Sequence, residues 1–107
     1  MGRKRRVAEV SGTPLTGSLL GQPVVDTLDL HGRTAAEAER LVRDFILTST
    51  RGASGQVVRI VTGKGTGSAG KPVLLPLVRQ WLETDLARYL DAVSLDTDGG
   101  SYLVRME

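Results

Sequence analysis

The chain has 107 residues, of which 40% are hydrophobic and 24% charged, so it is one domain's worth of ordinary globular sequence rather than a disordered chain or a coiled-coil rod. It has no cysteine, which excludes disulfides, zinc–thiolate sites and thiol catalysis. The net charge of +2 divides unevenly: residues 1–22 hold Arg3, Lys4, Arg5 and Arg6 against Glu9, whereas the remainder holds 10 basic and 11 acidic residues.

Residues 1–22 contain Gly, Ser, Thr and Pro with little apolar periodicity, as in Ser11-Gly12-Thr13-Pro14, and read as a basic N-terminal tail or linker ahead of a domain over 23–107. Leu15, Leu19 and Leu20 form a weak apolar cluster able to pack on the body. The basic run at 3–6 is not followed by the apolar region of a signal peptide, so a cytoplasmic setting is the default expectation. The longest apolar stretch, Val73 to Val78, is six residues with a proline inside, which predicts no membrane span.

Val24 to Leu30 reads as a strand, with Leu28 and Leu30 on one face and Asp29 on the other. His31-Gly32 ends it. Thr34-Ala35-Ala36-Glu37 spells a capping box. Ala38, Leu41, Val42, Phe45, Ile46 and Ser49 then form one helical stripe that closes at Arg51-Gly52. Glu39 with Arg43 and Arg40 with Asp44 are spaced as ion pairs on the outer face. Val57 to Thr62 is a mostly apolar strand of the kind a parallel sheet buries. A loop from Gly63 to Pro72 follows. A second helix starts at Pro72, with Leu74, Leu75, Val78, Trp81, Leu82 and Leu86 inward and Pro76 disturbing its first turn. Leu90 to Leu95 and Tyr102 to Met106 alternate as strands around the turn Asp96-Thr97-Asp98-Gly99-Gly100-Ser101. The order β-α-β-α-β-β predicts an α/β two-layer sandwich, with the first strands parallel and the last hairpin antiparallel.

The loop after the second strand has four glycines in the eight positions 63–70, with Lys64 among them and Lys71 just after. Its backbone can approach an anion closely, and a helix N-terminus follows. Two common phosphate signatures fail here. The nucleotide-triphosphate loop needs Ser or Thr after Gly70-Lys71, where this chain has Pro72; the dinucleotide fingerprint needs an acidic residue ending a second strand of a full Rossmann sheet. His31 is the only histidine. It lies at the carboxyl end of the first strand, two residues after Asp29 and therefore on the same strand face. Ligands collect at the carboxyl ends of parallel strands, so His31, Asp29 and the glycine loop are expected at one edge. An imidazole beside a carboxylate and a phosphate cradle can perform acid–base work on a phosphodiester.

Leu28-Asp29-Leu30-His31-Gly32, followed by Thr34 and Glu37-Ala38, resembles the first motif of the small MutS-related (Smr) domain. Thr62-Gly63-Lys64-Gly65, with Ser68, Gly70, Pro72-Val73-Leu74, Val78 and Trp81-Leu82, resembles its second block. The resemblance runs from Val24 to Met106 and implies a mixed four-stranded sheet similar to the C-terminal domain of translation initiation factor three. It implies an endonuclease, either an endoribonuclease acting on ribosome-associated messenger RNA or a nicking enzyme for DNA. Asp29 and His31 map to the family's catalytic D-x-H, and Gly63 and Gly65 to its G-x-G loop, where backbone and Lys64 hold the phosphate. Arg33, Thr62, Ser68, Lys71 and the tail residues Arg3, Lys4, Arg5 and Arg6 complete the expected nucleic-acid contacts. One departure is the C-terminal block, Gly99-Gly100-Ser101-Tyr102-Leu103, in place of the family's G-G-x-G-A pattern.

With one histidine, RNA cleavage would use the 2′-OH as nucleophile. DNA cleavage would need water and a divalent metal such as magnesium at Asp29. A non-catalytic nucleic-acid or ribosome-binding module and a protein-interaction domain are the alternatives. The net charge of the body, −1, and its four aromatic residues (Phe45, Trp81, Tyr89 and Tyr102) argue against a base-stacking platform.

Overall fold

The computed structural model describes residues 19–63 and 73–107. Strand β1 (Val24–Asp29) leads into helix α1 (Ala35–Gly52), strand β2 (Val57–Val61), helix α2 (Leu74–Glu83), a 3₁₀ turn at Ala87–Tyr89, and the strands β3 (Leu90–Leu95) and β4 (Ser101–Met106). The sheet order is β1-β2-β4-β3. β1 and β2 are parallel; β4 is antiparallel to both β2 and β3. This is the α/β sandwich with a mixed four-stranded sheet that the sequence predicts. The β3–β4 hairpin comes last in the chain, yet its second strand takes the central place beside β2.

Helix α1 starts where the sequence says it should. Thr34 is extended (φ −74°, ψ 165°); its hydroxyl accepts the Glu37 N–H, and the Glu37 carboxylate accepts the Thr34 N–H. Two donors without intrahelical partners are thereby satisfied. The buried positions Ala38, Val42, Ile46 and Ser49 repeat at helical spacing, with Leu41 and Phe45 at the margin of the same stripe. Burying a side chain such as Val42 or Ile46 contributes about 1.5–3 kcal/mol. On the outer face Arg43 reaches both Glu39 on its own helix and Asp85 after α2, each at 3.4 Å, tying the two helices together at the surface.

Helix α2 begins at Leu74, two residues later than Pro72 suggests, with Val73 as an N-cap that makes no side-chain bond. Pro76 is therefore the third helical residue. Its missing N–H would have had no intrahelical partner, so the expected disturbance of the first turn does not arise. Leu74, Val78 and Leu82 are buried, and Leu86, past the helix end, is buried with them.

Strand alternation divides the core. Leu28, Leu30, Val58, Ile60, Tyr102, Val104 and Met106 pack against the helices. Val57 and Leu103 face the other way, where Leu19 seals them at 1% exposure. Gln22 accepts a hydrogen bond from Arg105 on the same strand as Leu103, at 2.8 Å. The last residues of the segment read as a tail are thus packed on the second face of the sheet. Arg59, also on that face, pairs with Asp96 at 3.2 Å. Among the described residues no helix is long and apolar enough to cross a membrane.

Candidate nucleic-acid site

The carboxyl ends of β1 and β2 and the start of β4 meet at one edge of the sheet. Asp29 pairs in register with Val61, and Val61 with Ser101. The parallel ladder extends one bond further, from the Leu30 N–H to the Val61 carbonyl at 2.7 Å. His31 and Gly63 each follow, by two residues, the last paired residues of β1 and β2, Asp29 and Val61.

Beyond Leu30 the backbone reverses. The Arg33 N–H donates to the Leu30 carbonyl at 3.0 Å, and Gly32 has φ +81°. A positive φ at the third position of a four-residue turn is the type II requirement, which glycine meets without strain. His31 occupies the corner. One carboxylate oxygen of Asp29 accepts both the His31 backbone N–H and its ring Nδ1, each at 3.0 Å. The first bond is an Asx turn that fixes the Asp29 side chain; the second fixes the ring. With Nδ1 engaged, Nε2 is the ring nitrogen left to act outward. The pair is open to solvent, with His31 78% and Asp29 55% exposed. The His31 N–H, and after it the ring, hold the Asp29 carboxyl below the usual carboxylate range.

The second motif begins with two residues turned inward. Thr62 N–H and Gly63 N–H donate to the Gly100 carbonyl at 2.8 and 2.9 Å. The Thr62 hydroxyl donates to the same carbonyl at 3.1 Å and to that of Gly63 at 3.0 Å. Thr62 is buried at 7% exposure. Both residues were expected to contact phosphate; in the structure their donors hold the start of the loop to the β3–β4 turn. Gly63, at φ +85°, turns the chain away from the sheet.

The β3–β4 turn is the part of this edge that sequence reading missed. Gly100 N–H donates to an Asp98 carboxylate oxygen at 2.8 Å, and the Ser101 hydroxyl donates to the same oxygen at 3.0 Å. Asp98-Gly99-Gly100 carried a turn signal, but nothing in the spacing said what the Gly100 carbonyl would accept. Arg33 is exposed beside His31. Lys64, Gly65, Ser68 and Lys71, and the tail residues Arg3, Lys4, Arg5 and Arg6, lie outside the described residues.

One carboxylate and one imidazole, already bonded to each other, make a poor resident site for a hard divalent cation. Among the described residues no group of three or more His, Asp or Glu side chains is placed to hold a metal. Among the described residues, Asp29 and His31 do not make a resident magnesium site.

The family model described as the Smr domain matches residues 28–106, from the strand that carries Asp29 to the end of β4. No curated protein and no solved structure matches the chain.

Proposed function

The chain belongs to the Smr domain family of nuclease-like, nucleic-acid-binding domains, and from that premise we propose that it is an endonuclease whose substrate is RNA. The observation that carries the reading is the Asp29–His31 hydrogen bond of 3.0 Å at the carboxyl end of β1, beside the carboxyl end of β2. It leaves one imidazole nitrogen oriented and free on the exposed edge where a phosphodiester backbone can approach.

In this reading Nε2 of His31 accepts the proton of a ribose 2′-OH. The 2′-oxygen attacks the adjacent phosphorus, the bond to the 5′-oxygen of the next nucleotide breaks, and that oxygen takes a proton from water while the imidazolium returns its own to solvent. The products are a 2′,3′-cyclic phosphate and a free 5′-OH. Asp29 keeps the proton on Nδ1 and stabilises the imidazolium that forms. Lys64 is assigned, by its place in the motif, to the charge that builds on the phosphorane. Arg33, Ser68, Lys71 and the basic residues at 3–6 are assigned to the polymer's other phosphates, and Thr62 with Gly63 to holding the loop. RNA is favoured over DNA because the 2′-OH supplies the nucleophile that Asp29 and His31 alone cannot generate from water.

The test is to incubate the wild-type chain and the Asp29→Ala/His31→Ala variant with labelled RNA, single-stranded DNA and duplex DNA, with and without EDTA. RNA cleavage by the wild type alone, unaffected by EDTA, is the expected result. Retention of RNA without turnover would establish a binding module instead. Cleavage of DNA only, abolished by EDTA, would overturn the 2′-OH route. Cosedimentation with ribosomes would extend the reading to ribosome-bound messenger RNA.

A further inference from the structure

A cleft of about 170 Å³ lies between the amino end of β1 and the last turn of α1, with Val25, Asp26, Thr48, Ser49, Gly52 and Gln56 on its walls. Sites for drug-sized ligands run to roughly 300–1,000 Å³, so this one takes a single side chain and not a nucleotide. A bulge makes room for it. Val24 pairs with Val57 and Asp26 with Val58, so Val25 is an extra residue without a partner on β2. The bulge breaks the strand alternation, and Val25 and Asp26, which a regular strand sends to opposite faces, both line the cleft. Backbone hydrogen bonds set the walls. One Asp26 oxygen accepts the Thr27 N–H at 2.9 Å. The Ala53 N–H donates to the Ser49 carbonyl at 2.8 Å, and the Gln56 carbonyl accepts the Met106 N–H at 2.8 Å.

The lining is rich in acceptors. It offers the Asp26 carboxylate, the Gln56 amide and the hydroxyls of Thr48 and Ser49. Helix α1 ends there at Gly52, so the negative pole of its dipole adds to the carboxylate. Among the described residues Asp26 has no ion-pair partner, and Arg51, in the same turn, does not line the cleft. Ser49 is the second observation. It stands on the buried stripe whose other members are Ala38, Val42 and Ile46, and it is 5% exposed. Its hydroxyl makes no hydrogen bond to another described residue, whereas the Thr50 hydroxyl beside it donates to the Leu47 carbonyl at 2.7 Å. A buried hydroxyl on a cleft wall costs stability until a ligand or solvent group bonds to it.

We propose that this cleft is the binding site for an arginine side chain carried by a partner polypeptide. A guanidinium is planar, with five N–H donors and no acceptor, and it meets a carboxylate, two hydroxyls and an amide oxygen around one small space. A lysine ammonium is a point charge with three donors and satisfies fewer of them. The mouth of the cleft favours a polypeptide as the source. Val25 is 50% exposed there, on a strand at the end of the sheet order, so residues flanking the arginine have apolar surface to cover. Asp26 and Asp29 are three residues apart, about 10 Å along the strand. The cleft is therefore separate from the Asp29–His31 pair, and the inference does not rest on the nuclease reading.

The experiment titrates the full chain with the blocked pentapeptide Ala-Ala-Arg-Ala-Ala, its lysine counterpart and free N-acetylarginine amide, followed by amide NMR. The arginine peptide should bind with a Kd on the order of 1 mM, as one side chain in an open cleft allows. It should shift the resonances of Val25, Asp26, Thr48, Ser49 and Gln56. The lysine peptide and the free amide should each bind at least about threefold more weakly. Asp26→Asn and Ser49→Ala should each weaken the arginine peptide about three- to tenfold, the fold-change that one hydrogen bond carries. Alanine favours the helix, so Ser49→Ala should hold or raise Tm, and its loss of binding is not unfolding. Asp44→Asn removes the same charge from an exposed position of α1 and should bind as wild type does. Shifts absent from the cleft residues would overturn the proposal. So would an equal loss in Asp44→Asn, which marks non-specific attraction, or a lysine peptide as tight as the arginine one. Free N-acetylarginine amide binding as tightly as the peptide would overturn the assignment to a polypeptide. Asp26→Asn should also keep the wild-type affinity for RNA; a fall there would place the cleft on the RNA surface and overturn the proposal.

Discussion

Replacing Asp29 with asparagine separates the geometric part of that residue's role from the electrostatic part. One oxygen of Asp29 accepts both the backbone N–H and the ring Nδ1 of His31. Asparagine in the same rotamer presents its carbonyl oxygen to both, because the backbone N–H would be left facing the amide NH₂ if the side chain flipped. The ring therefore keeps its tautomer and direction, and what is lost is the negative charge beside the imidazolium. Two charges 4 Å apart interact by about 1 kcal/mol in water, and exposed ion pairs measure about 0.2–1 kcal/mol. With His31 78% and Asp29 55% exposed, the water-like value applies. One kcal/mol of transition-state stabilisation is about fivefold in rate. Asp29→Asn is therefore expected to cut RNA up to about fivefold more slowly than wild type in single-turnover assays. Asp29→Ala, which releases both bonds and the ring with them, should lose about 10²-fold. A loss of about 10³-fold or more in the asparagine variant would refute the reasoning. It would mean that the carboxylate works in a desolvated site or directly on a ligand.

The remaining predictions concern stability and the acid limb. Thr34→Ala removes both halves of the capping box and should cost about 1 kcal/mol. That is a Tm lower by about 4–8 °C for a domain of this size, read by thermal denaturation; an unchanged Tm would show that α1 does not depend on its cap. Leu19→Ala removes a side chain 1% exposed against Val57 and Leu103. It should destabilise by about 2–3 kcal/mol in urea, whereas a residue outside the domain would give no change. The depressed Asp29 carboxyl has a signed consequence. Its ionised form contributes stability that is present above the unfolded-state value of about 3.9 and is lost as pH falls through the lower folded-state value. Urea midpoints of wild type and Asp29→Asn should differ at pH 5 and converge only in that acid window; a gap that persists to pH 2 would contradict it.

Periodic and local features were legible in the sequence because each rests on contacts within a few residues. The α1 stripe, the Thr34–Glu37 box and the strand with Asp29 on its outer face all follow from spacing, and all are found where the spacing puts them. The Asp29–His31 juxtaposition was legible for the same reason, two residues on one strand face. Contacts between distant segments were not. The central place of β4 depends on which strand pairs with β2. The three-donor grip on Gly100 joins residues 62 and 63 to residue 100, and no local pattern encodes it. Leu19 read as one of a weak apolar cluster able to pack on the body, and it does; which face receives it was not legible, because that is a sheet face made apolar by the distant Val57 and Leu103. Pro76 was misjudged because its cost depends on where the helix begins, and a two-residue shift of that start moves it to a harmless position.

The proposed chemistry turns on one nitrogen of one side chain. The most direct measurement is cleavage of end-labelled RNA in EDTA by wild type and His31→Ala, purified in parallel, with the new ends identified. The expected result is 2′,3′-cyclic phosphate ends from the wild type and none above background from the variant, with RNA affinity retained. Cleavage by His31→Ala at the wild-type rate, or products ending in 3′-OH, would contradict it.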